Sequence, residues 1–143
     1  MTTYLLDVNA LIALVDPGHV QHDQAQEWVA RTGKNAFATC PITKNELLRI
    51  VGHPRYPNSP GASSAVVQSL VAIRSLPARR FWEDKISMAG AEHIDSARLS
   101  SHSQVTETYL LALARANGGR LASMDRKLVV DAVLDGRKLL API

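Results

Sequence analysis

One cysteine, Cys40, in 143 residues leaves no partner for an internal disulfide and too few thiolates for a zinc cluster. It fits a reducing compartment, so the cytoplasm is the expected location. Aromatic residues are scarce as well, at 5%, which denies the chain a platform for stacking successive bases of a single strand. No apolar run approaches the ~20 residues of a membrane helix. The N-terminus lacks a basic leader and puts Asp7 where the apolar part of an export signal would lie. Gly-rich phosphate loops, a nucleophile elbow and a dinucleotide fingerprint are all missing. Charge of one sign is not in excess either. A net charge of +3 and a pI near 9.3 permit a polyanionic partner without demanding one. The basic residues, among them Lys44, Arg49, Arg55, Arg79 and Arg80, are dispersed along the chain.

What is present is an alternation of short apolar runs with amphipathic stretches. Tyr4 to Val8 reads as a buried strand, followed by a helix over Asn9 to Val15 that Asp16-Pro17-Gly18 stops. A helix is expected over His19 to Thr32, a strand over Ala36 to Cys40, and a helix over Ile42 to Val51 with Pro41 in its first turn. The breaker-rich segment 56–61 is a loop. Helices follow over Ala62 to Leu76 and, most clearly, Ser103 to Asn117, which Gly118-Gly119 caps. Strands are expected over Arg80 to Trp82, Arg120 to Met124 and, at a sheet edge, Lys138 to Ala141; residues 85–100 are ambiguous. The pattern is that of one α/β domain spanning residues 1–143 around a mainly parallel sheet. In such sheets ligands bind beyond the carboxyl ends of the strands.

Four acids fall where that rule directs attention. Asp7 and Asp125 close apolar runs at strand ends, while Glu46 and Glu107 lie on or beside the apolar stripes of helices. Each has a plain explanation. Asp7 or Asn9 can cap the helix behind it, and Asp125 can cap one over residues 126–128. Glu107 can face solvent and the positive end of its helix, although Leu110, Leu111 and Ala114 share its face. Glu46 can pair with Arg49 on the surface. Thr43, Asn45 and Asn9 can orient ligands or waters, or simply satisfy caps and turns. If the four acids converge, they need a cation among them, since two carboxylates about 5 Å apart repel by roughly 3 kcal/mol at an effective dielectric of 20. All-oxygen ligation favours magnesium or manganese, and such a site can activate water against a phosphodiester. His19, His22 and Asp23 share helical spacing but read as a solvated face.

Asp7 in Leu-Leu-Asp-Val-Asn, Glu46 in Ile-Thr-Lys-Asn-Glu-Leu-Leu-Arg, the run Val-Thr-Glu-Thr-Tyr-Leu-Leu-Ala-Leu-Ala and the closing Leu-Ala-Ser-Met-Asp occur in an order and spacing that resemble the PIN domain. More narrowly, the chain resembles bacterial VapC-type toxins of toxin–antitoxin pairs. The resemblance implies a three-layer α/β/α fold and a magnesium- or manganese-dependent endoribonuclease with Asp7, Glu46, Glu107 and Asp125 as its acidic site. It further implies a homodimer, an RNA substrate, and a small cognate antitoxin that covers and inhibits the site. The family usually carries aspartate where this chain has Glu107, whose longer side chain should still reach a metal. Asn9, Thr43 and Arg49 are candidates for supporting the acids or touching RNA. Two other readings stand beside this one: a receiver-like domain that accepts a phosphoryl group on a strand-end aspartate, and a PIN-like module that binds without cutting.

Overall fold

The structure, a computed structural model, describes residues 2–33 and 36–143. Three of its five short strands carry near-continuous apolar runs, as strands covered on both faces should. They are β1 (Tyr4–Leu6), β2 (Phe37–Thr39), β3 (Arg79–Phe81), β4 (Arg120–Ser123) and β5 (Leu140–Pro142), paired in parallel throughout in the order β3-β2-β1-β4-β5. The expected sheet was mainly parallel; the observed one is wholly so. Successive side chains point to opposite faces. Leu5, Ala38 and Leu121 therefore face one half of the core, and Leu6, Phe37 and Ala122 the other. The first half is covered by α5 (Val105–Ala116) and the segment running through Trp82 and Ile94. The second is covered by α1 (Val8–Val15), α2 (His22–Trp28), α3 (Pro41–Val51) and α4 (Ser63–Arg74). The result is a three-layer α/β/α sandwich with β1 at its centre.

Several boundaries differ from the sequence expectation. The second helix begins only at His22, because His19 and His22 are taken up by turn bonds to Asp16 and His19, and its last turn widens into a π-type turn over Val29–Gly33. Residues 85–100 are mostly irregular, with a 3₁₀ turn at Ser96–Arg98 and an isolated bridge between Ile94 and Val133. Lys138 and Leu139, expected to be extended, instead close the short helix α6 (Gly136–Leu139), and β5 follows at Leu140. No helix caps on Asp125.

The two glycines after α5 divide the work of turning the chain into β4. Gly118 adopts φ 68°, the left-handed conformation that ends helices, with open space where a side chain would go. Gly119 lies against the sheet: a Cβ there would come within 2.5 Å of both the Thr3 carbonyl oxygen and the Trp82 ring. Gly118→Ala should cost about 1–2 kcal/mol, the left-handed penalty of a side chain. Gly119→Ala should cost more, because β1 or Trp82 must move. Urea unfolding of the two variants gives the ranking.

Candidate active site

The central strand delivers Asp7 to the carboxyl edge of the sheet. Its backbone N–H donates to the Ala122 carbonyl of β4 at 3.1 Å, so the neighbouring strand fixes where it stands. Its carboxylate accepts the Ala10 N–H at 2.8 Å, capping α1. The capping role is therefore real, and it does not exhaust the residue. A pocket of about 190 Å³ opens beside it, lined by Asp7 with Val8 and Asn9 from the start of α1, Glu46 and Ile50 from α3, Ser103 from the 3₁₀ turn before α5, and Thr106, Glu107 and Leu110 from the start of α5. Three of the four acids thus meet at one pocket. Asp125 is outside its lining: it is exposed and accepts the Lys127 N–H at 2.9 Å in a local turn.

Two buried acids, Asp7 and Asp16, behave in opposite ways. Asp16 is 6% exposed. Burial pushes its carboxyl up, but hydrogen bonds from Tyr56, Asn58 and the Gly18 N–H outweigh that and hold it below the ordinary range. It is a structural clasp between the end of α1 and the loop after α3. Asp7 is 4% exposed, and burial pushes it up to about 6 against hydrogen bonds from Ser123 and the Ala10 N–H. The charges of Glu107 and Asp125 raise it further. Among the described residues, no cation is one of the groups that act on it. A carboxylate buried beside further acids, with no basic partner, is a poor structural choice and a good site for a hard cation.

The remaining candidates separate. Glu46 is paired with Arg49 through both carboxylate oxygens, with Nε to Oε1 at 3.3 Å; the surface pair weighed from sequence exists, and the same Glu46 lines the pocket. Asn9 is exposed at the pocket wall. Thr43 is not with them. It is fully buried, accepts the Cys40 N–H and donates to the Cys40 carbonyl at 3.1 Å, so its hydroxyl is consumed in capping α3. Among the described residues, no three His, Cys, Asp or Glu side chains stand close enough together to enclose an ion.

Sequence reasoning missed Ser123. It is buried at the end of β4, its hydroxyl reaches Asp7, and its oxygen accepts the Asp125 N–H at 3.0 Å, joining the two strand-end acids. The available signal was a hydroxyl interrupting an apolar strand two residues before an acid. Ser103 and Thr106 were missed too; both flank Glu107 on the pocket wall.

The PIN domain family matches residues 4–132 of this chain. Ribonuclease VapC44 of Mycobacterium tuberculosis is 39% identical over 129 residues, 90% of each chain. Ribonuclease VapC29 of the same organism is 40% identical over 127 residues, 88% of each chain. Among solved structures, Mycobacterium tuberculosis VapC20, a Sarcin-Ricin loop cleaving toxin, superposes with a TM-score of 0.61 at 16% identity, covering 92% of this chain and 97% of that one. At that identity the superposition speaks for the fold.

Proposed function

Because the chain belongs to the PIN-domain family, and within it stands with the VapC ribonucleases, we propose that it is a metal-dependent endoribonuclease, the toxin of a toxin–antitoxin pair. The observation that carries this reading is the buried Asp7, its carboxyl raised by burial and by neighbouring acids, at a pocket shared with Glu46 and Glu107. The donor set fits a divalent hard cation, being all oxygen, with Glu46 as the one acid of the four that an arginine already pairs. Asp7, Glu46, Glu107 and Asp125 would hold magnesium or manganese, which supplies a Lewis acid for activating water and offsetting charge on the phosphodiester.

The chain's own groups have separable roles. Ser123 and the Ala10 N–H hold the Asp7 carboxylate in one orientation, which spares it reordering on binding. Arg49 neutralises Glu46 until that side chain is needed. Ser103 and Thr106 present hydroxyls from the first turns around Glu107 and can donate to phosphate oxygens. Asn9, exposed at the pocket wall, can contact RNA beside the cleaved bond. The reading carries with it a small antitoxin covering this pocket, a homodimer and a cytoplasmic location. Among the described residues no helix is long and apolar enough to cross a membrane. A receiver-like domain is excluded by the family match, and a binding-only module gains nothing from Glu107, which lies on the pocket wall.

Incubating the purified chain with mixed RNA tests the proposal. Internal cleavage is expected with magnesium or manganese and none after chelation. Cleavage that survives chelator, or RNA left intact with saturating manganese, would overturn it.

A further inference from the structure

The basic residues are dispersed in sequence, yet folding gathers three of them at the free edge of the sheet. Register places Arg79 beside Phe37 and Phe81 beside Thr39, so Arg79 and Phe81 of β3 share the face covered by α3 and α4. Lys44, in the first turn of α3, sets its ammonium 4.7 Å over the Phe81 ring. Arg74 closes α4 beside them, and Arg79 donates to the Arg74 carbonyl at 3.5 Å. Like charge acts within the cluster: burial and the neighbouring Arg79 and Arg74 hold the Lys44 ammonium below its usual range. Among the described residues none of the three forms an ion pair. Phe81 is 49% exposed. A surface that collects uncompensated cations around an open aromatic ring loses stability through repulsion unless an anion serves it.

Its position selects which anion. Phe81 follows Arg80, which is level with Ala38, and Ala38 is level with Leu5, two residues before Asp7. Phe81 and Lys44 lie toward the same carboxyl edge as the acid pocket, two strand spacings from β1, or about 10 Å, while Arg79 opens β3 and Arg74 ends the helix before it, extending the patch away from the pocket. The same helix, α3, carries Lys44 at the patch and Glu46 at the pocket. We propose that Lys44, Arg74, Arg79 and Phe81 form a docking face for the sugar–phosphate backbone of RNA flanking the bond at the Asp7 pocket. This rests on the endoribonuclease reading above and adds positioning residues to it. The cations take successive phosphates and the free face of Phe81 takes a base.

The test separates docking from cutting. In an Asp7→Asn background, where bound RNA stays whole, a fluorescent single-stranded oligoribonucleotide is titrated by anisotropy at several salt concentrations. Adding Lys44→Gln and Arg74→Gln should weaken binding by on the order of ten-fold at low salt and flatten the salt slope by about 1.4, at about 0.7 per phosphate contact on a single strand. Phe81→Leu should weaken binding without changing the slope. Arg137→Gln with Lys138→Gln on α6, the same charge change elsewhere, should alter neither. An unchanged slope in the Lys44/Arg74 variant, or an equal loss in the α6 variant, overturns the docking face. So does a face that binds polyglutamate and not RNA, which would mark it for an acidic protein segment. Cleavage by the parent chain with manganese, measured in parallel, reports on the endoribonuclease reading independently.

Discussion

Asp7→Asn is expected to lower metal-dependent RNA cleavage by at least about 100-fold, more than the 10–100-fold lost when a residue merely supporting a metal ligand is changed. The same substitution should stabilise the metal-free protein. Asparagine keeps the oxygen that caps α1 and removes the charge that burial penalises. The Asp7 carboxyl is raised from 3.8 to about 6, so between those values the folded chain holds a proton that the unfolded chain has released. Stability attributable to this group is therefore complete below the unfolded value and lost as pH rises through about 6. The loss amounts to about 3 kcal/mol at neutral pH, at 1.36 kcal/mol per unit. In chelator at pH 7.5 the variant should melt some 5 °C or more above the parent, and the gap should close toward pH 4. A variant that melts well below the parent at neutral pH would show Asp7 to be chiefly a cap. Adding manganese should raise the melting temperature of the parent and leave the variant nearly unmoved.

Glu107 supplies the second large effect. Glu107→Gln keeps the size of the side chain on the pocket wall and removes its charge; cleavage should fall by roughly 10–100-fold or more. Glu107→Asp keeps the negative oxygen that a hard cation prefers and has less rotamer freedom to lose, so activity should persist or rise. Rates on a mixed RNA pool at saturating manganese decide between them. A glutamine variant as fast as the parent would remove Glu107 from the site.

The parts of this molecule that were legible in its sequence are those where one physical rule acts alone. Buried apolar runs located β1, β2 and β4, and Gly118-Gly119 located the end of α5, because strand burial and a left-handed cap each leave a composition signature. The π-type turn after Trp28 and the short α6 before β5 were not legible. For α6 the deciding neighbour lies outside the element, since Gly136 is held close to the Val130 carbonyl and to Leu111 of α5. In the site, periodicity was enough to put Glu107 on the face of α5 that carries Leu110 and Leu111. It was not enough to show that Asp125 caps no helix, that Thr43 turns back onto Cys40, or that Ser123 links two acids. Those depend on which neighbour a short polar side chain finds, and several neighbours were compatible with the same residues. The basic face is the same case: Lys44 is far from Arg74 and Arg79 in the chain and meets them because β3 pairs with β2.

The placement of β1 also governs when the site can come into being. Its first neighbour, β2, begins at Phe37, but its second, β4, begins at Arg120. During synthesis the chain emerges from its N-terminal end, and long-range parallel pairing is slow to form. Until β4 and α5 have left the ribosome, Asp7 has neither the Ala122 carbonyl that fixes its backbone nor Ser123 and Glu107 beside it. A partly made chain ending before residue 105 therefore carries Asp7 and Glu46 and lacks the pocket they share with α5. Competence to cut arrives late and all at once, when the last part of the sheet docks against the first strand made.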